Sequence, residues 1–247
     1  MIGGGVGTMI RVRLGSTNRT IAFVVFSVGL LAALAVAPAL ADDAEVPKDK
    51  EAERLEGARE AFLALRNMKD AEIPEPLLEK CKCVAVFPSV VKGAIGWGGR
   101  RGKGVMTCRD AGGTWGPPIF LTLTGGSFGL QIGVEKAEVV LFFMNDRGAR
   151  SLVESKFTLG GKGSLAAGPV GRTAEANTDI KLNAEIYSYA RTKGLFAGLS
   201  LEGAKLGPDK SATNRFYGST VVPKAVLFEH KAPPTPPAAQ RFLAVLP

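Results

Sequence analysis

Four basic residues and a tryptophan lie close together near the middle of the sequence. Lys92, Arg100, Arg101 and Lys103 surround a glycine-rich stretch, and Trp97 lies among them. Cationic side chains bind the phosphates of lipid headgroups, and an indole ring favours the interface between membrane and water. These five residues are therefore the candidate lipid-binding set. A solvated, charged turn is the alternative, because loop tips are commonly charged, and Trp97 equally suits a protein core.

The chain has three cysteines, of which two could form a disulfide bond in an oxidising compartment. We predict a bond between Cys83 and Cys108, because both lie in predicted strands on either side of the glycine-rich stretch. Cys81 is the competing partner for Cys108, since strand alternation would place it on the same face as Cys83. A zinc site is not predicted, because a Cys-x-Cys pair, one distant cysteine and the single histidine, His230, have poor ligand spacing.

No group of residues predicts catalysis. Ser89 and Ser127 are candidate nucleophiles, but the sequence lacks the G-x-S-x-G turn that exposes a catalytic serine. The carboxylates of Asp146, Asp179 and Glu202 have polar or basic neighbours and are explained by a helix cap, a strand edge and an ion pair. Without a paired acid and base we predict no enzyme, and we predict neither a cofactor nor a bound metal.

Glycines punctuate the apolar segments between residues 83 and 218. Those at 125–129 and 160–163 resemble phosphate-binding loops, but neither matches G-x-x-x-x-G-K-[ST]. Within a strand pattern, glycine usually marks a bulge, a bend or the close approach of another backbone. The sequence therefore predicts a strongly curved or barrel-like sheet.

Residues 48–69 predict an amphipathic helix with one apolar stripe. The stripe consists of residues spaced three or four apart: Leu55, Ala58, Phe62, Leu65 and Met68. Such a stripe can pack on a protein core or lie on a bilayer. Membrane-surface helices usually carry a strongly basic polar face, whereas glutamates nearly balance the arginines here. We therefore expect the helix to pack on the domain.

From Cys83 onward the pattern is typical of β-strands. A run at Val84 and Val86 is expected to stop at Pro88, and residues 98–102 are expected to form a hairpin turn between strands at 93–97 and 104–108. Other strands are predicted at 119–124, 126–134, 137–144 and 178–191, the last with a return strand to Leu201, and helices at 145–155 and 209–217. Residues 233–237 predict an extended, proline-rich tail.

The first 41 residues predict a secretory signal peptide. Three arginines precede an uncharged apolar run over 21–37, and Ala39 and Ala41 form an A-x-A-like cleavage site. Cleavage after Ala41 would leave a mature domain of residues 42–247 in the periplasm or outside the cell. An uncleaved anchor is the alternative, although the apolar run has only the lower-limit length for spanning a membrane.

The charge of the chain suits an anionic partner without requiring one. The sequence has 31 Lys and Arg against 23 Asp and Glu, a net charge of +8. Subtracting the three leader arginines gives 28 against 23, so the mature domain carries +5. No dense basic run with interleaved aromatic residues occurs, so nucleic acid is not a predicted partner.

The order of the segments and their amino-acid sequences resemble the SYLF-domain family over about residues 47–247. The resemblance rests on several motifs in sequence, including CVAVFPSV at 83–90, KGAIGWGG at 92–99, LTGGSFGLQIG at 123–133 and KGLFAGLSLEG at 193–203. Known members bind phosphoinositide-type lipids, and fungal and animal members also bind actin. The resemblance implies an acidic phospholipid or membrane surface as the partner. Combined with a bacterial-style signal peptide, the resemblance implies a secreted bacterial type of this family. Actin is not an expected partner of that type. The sequence specifies no other protein partner.

Together these observations predict a single α+β domain, mainly a curved antiparallel sheet of barrel-like or sandwich form, with an N-terminal helix packed against it. The predicted function is a non-enzymatic lipid-binding protein of the cell envelope. One alternative is a structural or protein-interaction module of the envelope without a lipid ligand, and another is a hydrolase with an unrecognised site. An apolar cavity with a basic rim would favour the lipid-binding protein. A flat exposed patch would favour the interaction module, and a polar cleft with coupled carboxylates would favour the hydrolase.

Overall fold

The computed structural model describes residues 49–68, 73–95, 97–128, 133–154, 157–161, 164–168, 183–192, 195–196 and 201–247. All of them belong to one compact unit, Glu45–Pro247. The predicted signal peptide lies outside the described residues. The described part has the predicted α+β class, with one curled sheet and helices packed on both of its faces.

The elements are numbered in chain order. The helices are α1 (Lys50–Arg66), α2 (Glu75–Lys80), α3 (Asp146–Glu154), α4 (Lys210–Tyr217), α5 (Pro223–Phe228) and α6 (Pro237–Leu243). The strands are β1 (Cys83–Ile95), β2 (Trp97–Cys108), β3 (Ile119–Phe128), β4 (Gly133–Phe143), β5 (Phe157–Thr158), β6 (Leu165–Ala167), β7 (Ile186–Thr192), β8 (Leu195–Phe196) and β9 (Lys205–Pro208). Within the described ranges, no helix is long and apolar enough to span a membrane.

The strands form one sheet in the order β5-β9-β3-β2-β1-β4-β7-β6, and β8 pairs with β7. All pairs are antiparallel except that between β6 and β7. Strand β1 is central because its first five residues, 83–87, are apolar at every position and are all buried. Such a strand needs protein on both faces, and the two sets of helices provide it.

The two faces of the sheet have separate cores. The face that we call the α1 face contains Val84, Val86 and Phe142 and is covered by α1, α2, α4 and α6. The opposite face, the disulfide face, contains Cys83, Phe87 and Cys108 and is covered by α3 and α5. Alternation along the strands assigns successive residues to opposite faces.

Helix α1 packs on the sheet, as its charge balance predicted. Its N-cap is Asp49, whose carboxylate accepts hydrogen bonds from the backbone N–H groups of Glu51 (3.0 Å) and Ala52 (3.2 Å). The apolar stripe is buried: Leu55, Ala58, Phe62 and Leu65 are at most 1% exposed. The stripe of the docked helix is therefore a core surface and not a membrane-facing one.

The predicted hairpin turn at residues 98–102 is wrong. Strand β1 continues through Pro88 because the register shifts between Val86 and Ser89, a bulge that places proline where no ladder hydrogen bond is needed. Strand β2 begins at Trp97, so residues 98–102 lie within a strand. The bulge divides the β1–β2 ladder into an inner half, residues 83–87 with 104–108, and an outer half, residues 89–95 with 97–103.

Glycine is required on β2 where this strand lies beside the bulge of β1. A Cβ atom on Gly104 would lie 2.5 Å from both Phe87 Cδ1 and the Val86 carbonyl oxygen, and one on Gly102 would lie 2.9 Å from Val90 Cγ2. The Phe87 ring therefore lies across two glycines of β2. At these two positions of β2 glycine thus accommodates the bulge and the close packing of Phe87.

Other predicted elements have mixed outcomes. Helices α3 and α4 match prediction, with the N-cap Asp209 accepting from Ala212 N–H (3.1 Å) and Gly218 ending α4 at φ 65°. The two strands predicted within 119–134 are one strand as far as Phe128, and residues 129–132 lie outside the described residues. The long strand begins only at Ile186 in the described part, and 169–182 are not described. Helices α2, α5 and α6 were not predicted; each has proline in its first turn.

Candidate functional site

A groove of about 680 Å³ lies between α1 and the outer half of the β1–β2 ladder. Its cationic lining comes from one residue of α1 and three of β2, and the remainder is small or apolar. The lining residues are Arg54, Pro88, Ser89, Val91, Gly93, Gly99, Arg100, Arg101, Gly102 and Lys103. None of these is acidic, so the groove is suited to an anion.

Strand register brings these residues together. Ser89 is opposite Lys103, and Val91 is opposite Arg101. Cross-strand neighbours point to the same face, and alternation from Val105 in the core assigns this set to the α1 face. Arg101 and Lys103 are exposed, and 41% of Val91 is exposed. The groove therefore combines exposed cations with an apolar wall.

The candidate lipid-binding residues do not form one cluster. Arg101 and Lys103 line the groove, whereas Lys92 faces the other side of the sheet in a small hollow with Glu135. Arg100 lines the edges of both. Trp97 is the first residue of β2, and its side chain is not described. Alternation separates these residues because they lie in a strand rather than in a turn.

Sequence reasoning missed Arg54, which comes from α1. Its side chain is only 8% exposed, and its Nη1 donates to Asp209 Oδ2 at 3.3 Å. Its guanidinium carbon lies 5.1 Å from the centre of the Phe120 ring, a cation–π contact. A signal was available, since Arg54 precedes the buried Ala58 and Phe62 by four and eight residues. That spacing places it along the apolar stripe.

Glycines keep the floor of the groove open. A Cβ atom on Gly93 would contact nothing within 4 Å, and one on Gly99 would approach only the Gly125 carbonyl oxygen, at 3.8 Å. Helix α1 lies close to β1 at Gly57, where an added Cβ would be 3.2 Å from Pro88 Cβ. The volume thus persists because the two strands carry no side chains at these positions.

The inner half of the ladder contains the cysteine pair. Cys83 and Cys108 are opposite each other in register, with their sulfur atoms 2.08 Å apart, at the distance of a disulfide bond. Cys81 is not a competing partner. Because α2 ends at Cys81, strand alternation begins only after it, and its side chain lies in the core of the α1 face. Its thiol donates to the Leu78 carbonyl oxygen at 3.2 Å, and burial raises its pKa to about 11.

The described residues of the groove could bind a ligand but include no base that would activate a nucleophile. Ser89 lies in the groove, but the described residues that line it include no histidine or carboxylate to take its proton. Asp146, another residue considered for chemistry, pairs with Arg150 at 3.2 Å on α3. The arrangement is thus a cationic concavity with apolar and glycine surfaces.

Comparisons with known proteins agree on a family. A family model described as "Las17-binding protein actin regulator", Ysc84, matches residues 124–247. Protein YSC84 of Saccharomyces cerevisiae is 34% identical over 180 residues, 72% of this chain and 38% of that protein. SH3 domain-containing YSC84-like protein 1 is 35% identical in Xenopus laevis, over 63% of this chain and 47% of that protein. The Homo sapiens protein is 32% identical, over 73% and 52%. The chain thus spans about half or less of these relatives.

These findings correct the prediction about actin and identify the family of the chain. The exclusion of actin is wrong, because the matching family is described as an actin regulator. A further yeast relative, 33% identical over 72% of this chain, is named LAS seventeen-binding protein 3. These names describe binding proteins and regulators, not enzymes. Since the family model matches half of the sequence, this chain belongs to the Ysc84 family, the family of the SYLF domain.

Proposed function

We propose that this protein is a non-enzymatic lipid-binding protein that recognises acidic phospholipids through the groove between α1 and the outer half of the ladder. The observation that supports the proposal most directly is the cationic lining from two elements, with no acidic residue among the described residues that line the groove. Each Lys or Arg near an anionic membrane contributes about 1 kcal/mol to binding. Arg101 and Lys103 are exposed and are therefore free to approach such a surface.

Apolar residues beside the groove supply the second part of a lipid-binding surface. Val91 is 41% exposed, and Val134, which is paired in register with Gly93 on the neighbouring strand, is 80% exposed. Exposed valines next to exposed cations suit the boundary between headgroups and acyl chains. The predicted signal peptide places this activity in the periplasm or outside the cell. N-terminal sequencing of the exported protein should then begin at Asp42; an intact Met1 or Met9 contradicts it.

Liposome flotation tests the proposal. The protein, purified after expression of the full chain, is floated with vesicles of phosphatidylcholine alone or mixed with phosphatidylglycerol. We expect binding only to the mixed vesicles. The double variant Arg101→Glu with Lys103→Glu should lower that binding by more than tenfold, because about 1.4 kcal/mol corresponds to a factor of ten.

The matched control is Lys80→Glu with Lys82→Glu. Both lysines are exposed, the charge change is the same, and they lie at the opposite end of β1, about 20 Å from the groove at strand spacing. The control should bind like the unaltered protein. Equal losses in the two variants would indicate a response to net charge alone, and poor binding of the unaltered protein to both vesicle types would rule out lipid recognition.

A second candidate function is binding to a protein partner of the actin machinery. It is favoured by the description of the family and the names of the yeast relatives. The chain corresponds to less than half of the yeast proteins, so this activity is a proposal for the shared region alone. Co-sedimentation with filamentous actin tests it. Pelleting that persists in the Arg101→Glu, Lys103→Glu variant would assign actin to another surface.

A further inference from the structure

We infer that Arg54 makes the groove a site for one phosphate group, with α1 as a fixed wall of the site. This inference rests on the proposed function and adds to it a specific residue and a defined position for the helix. Arg101 and Lys103 are exposed, so they attract anions without a buried contact that would fix one. Arg54 differs from them because it is nine-tenths buried and still lines the groove.

The hydrogen bonds of Arg54 leave donors available. A guanidinium has five N–H donors, and in the described part of the chain its one hydrogen-bond acceptor is Asp209. Because Arg54 lines the groove, its remaining N–H donors lie beside the space that a ligand would occupy. The Phe120 ring and the Asp209 carboxylate hold the guanidinium plane in place. A fixed, partly satisfied guanidinium is suited to the tetrahedral oxygens of a phosphate.

The charge around Arg54 favours an anion despite the ion pair. Among the described residues Asp209 is the one acid paired with Arg54, and that carboxylate also accepts the N-cap hydrogen bond of α4. The described residues that line the groove include three further cations and no acid. A phosphate monoester or diester therefore has a net positive site available. The phosphate could belong to a lipid headgroup or to a soluble phosphate ester, and the same donors would bind either.

Arg54 can act in this way only while α1 is docked. Leaving the sheet would remove the guanidinium from the groove and expose the buried stripe of Leu55, Phe62 and Leu65. The helix therefore contributes to binding from its packed position, with its stripe in the core and not in a bilayer. This distinguishes the inference from one in which α1 detaches and inserts into the membrane.

The first experiment removes the guanidinium. Binding of inorganic phosphate and sn-glycerol 3-phosphate is measured by calorimetry, and binding of phosphatidylglycerol-containing vesicles by flotation. We expect Arg54→Gln to weaken binding about tenfold or more, as expected for the loss of charge-assisted hydrogen bonds. Arg59→Gln is the matched control on the same helix. Arg59 pairs with Glu56 at 2.7 Å outside the groove, and its loss should leave binding unchanged.

A companion variant separates binding from folding. Arg54→Gln leaves Asp209 without its ion pair, so Arg54→Gln with Asp209→Asn removes both charges, and asparagine remains a good N-cap for α4. If this double variant melts like the unaltered protein yet loses binding, the role of Arg54 is supported. If it binds both the soluble probes and the vesicles normally, the inference is overturned while surface recognition of acidic lipid stands.

The choice of probe identifies the source of the phosphate. Arg54-dependent binding of the soluble probes supports the site and indicates a phosphate ester, whether or not vesicles bind. Arg54-dependent binding of vesicles alone supports the site and indicates a lipid headgroup. Absence of binding to every probe by the unaltered protein overturns both the inference and the proposed function.

The second experiment ties α1 to the sheet. Gly57→Cys with Pro88→Cys places two thiols where a Gly57 Cβ would lie 3.2 Å from Pro88 Cβ, close to the separation that a disulfide requires. The cross-linked protein should retain at least half of the vesicle binding shown by the two single variants. Loss of binding on cross-linking alone would show that α1 must detach, and would overturn its role as a fixed wall.

Discussion

The inner and outer halves of the β1–β2 ladder are built from the same two strands and differ in almost every other property. The inner half is buried on both faces and carries the Cys83–Cys108 pair at its end. The outer half carries exposed cations and valine over a glycine floor. The bulge at Pro88 separates the two. The comparison indicates that the tightly packed inner half holds the two strands in place. The outer half can therefore form a groove whose floor has no side chains.

Removing the disulfide should produce the largest loss of stability. Cys83→Ala with Cys108→Ala is expected to lower the free energy of unfolding of the oxidised protein by about 3 kcal/mol, because the bond closes a loop over a separation of 25 residues. Denaturant unfolding measures the loss, which should shrink under reducing conditions. Non-reducing peptide mapping that recovers Cys83 and Cys108 as free thiols would contradict the bond.

A methyl group at the bulge should cost less than the disulfide. Gly104→Ala is expected to lower the free energy of unfolding by about 2 kcal/mol, because the added Cβ meets Phe87 and a backbone carbonyl oxygen at 2.5 Å. Gly93→Ala, in the outer half, is the control and should change stability by no more than about 0.5 kcal/mol. Equal losses would mean that the two halves are packed alike.

The buried Cys81 thiol should make stability fall at alkaline pH. Its pKa rises from an ordinary value of 9.0 to about 11 through burial. The unfolded chain therefore releases this proton first, and the contribution to stability is complete below pH 9 and declines between pH 9 and 11. We expect a loss of about 1 kcal/mol by pH 10. Urea unfolding of Cys81→Ala should show a correspondingly shallower decline; an identical decline would assign it to other groups.

Filling the groove should have the smallest effect on stability and a large one on binding. Gly99→Val adds a side chain where only the Gly125 carbonyl oxygen is near, at 3.8 Å, so the thermal midpoint should hardly move. Vesicle binding should fall at least tenfold if the groove holds the ligand. Gly126→Val is the matched control, since Gly126 is opposite Gly99 in register but does not line the groove.

The sequence correctly predicted elements whose ends are set by neighbouring residues. Asp209 and Gly218 mark the ends of α4 because a cap and a left-handed residue act within one turn. The cysteine pair was predicted correctly because both cysteines were assigned to strands on either side of the glycine-rich stretch. Alternation assigned Cys81 to the wrong face because its environment is set by the end of α2, a helix that was not predicted.

The groove could not be predicted from the same signals because distant segments form it. Arg54 lies 29 residues before Cys83, the first residue of the β1–β2 ladder, and its ion-pair partner is 155 residues away. The basic residues of β2 were correctly noticed, but their division between two faces depends on the bulge at Pro88. A proline in an apolar run is compatible with either a strand end or a bulge, and packing of Phe87 over Gly104 selects the bulge.

The contacts of α1 have a consequence for biosynthesis. Its polar side is fixed by residues from the far end of the chain: Asp209 pairs with Arg54, Arg215 with Glu51, and Arg241 with Glu56. The helix leaves the ribosome first, but its binding surface exists only after residue 241 has been synthesised. Contacts of such long sequence separation slow folding, and until they form the apolar stripe is exposed to aggregation. The stripe of α1 is thus exposed for most of the time that the chain takes to be synthesised.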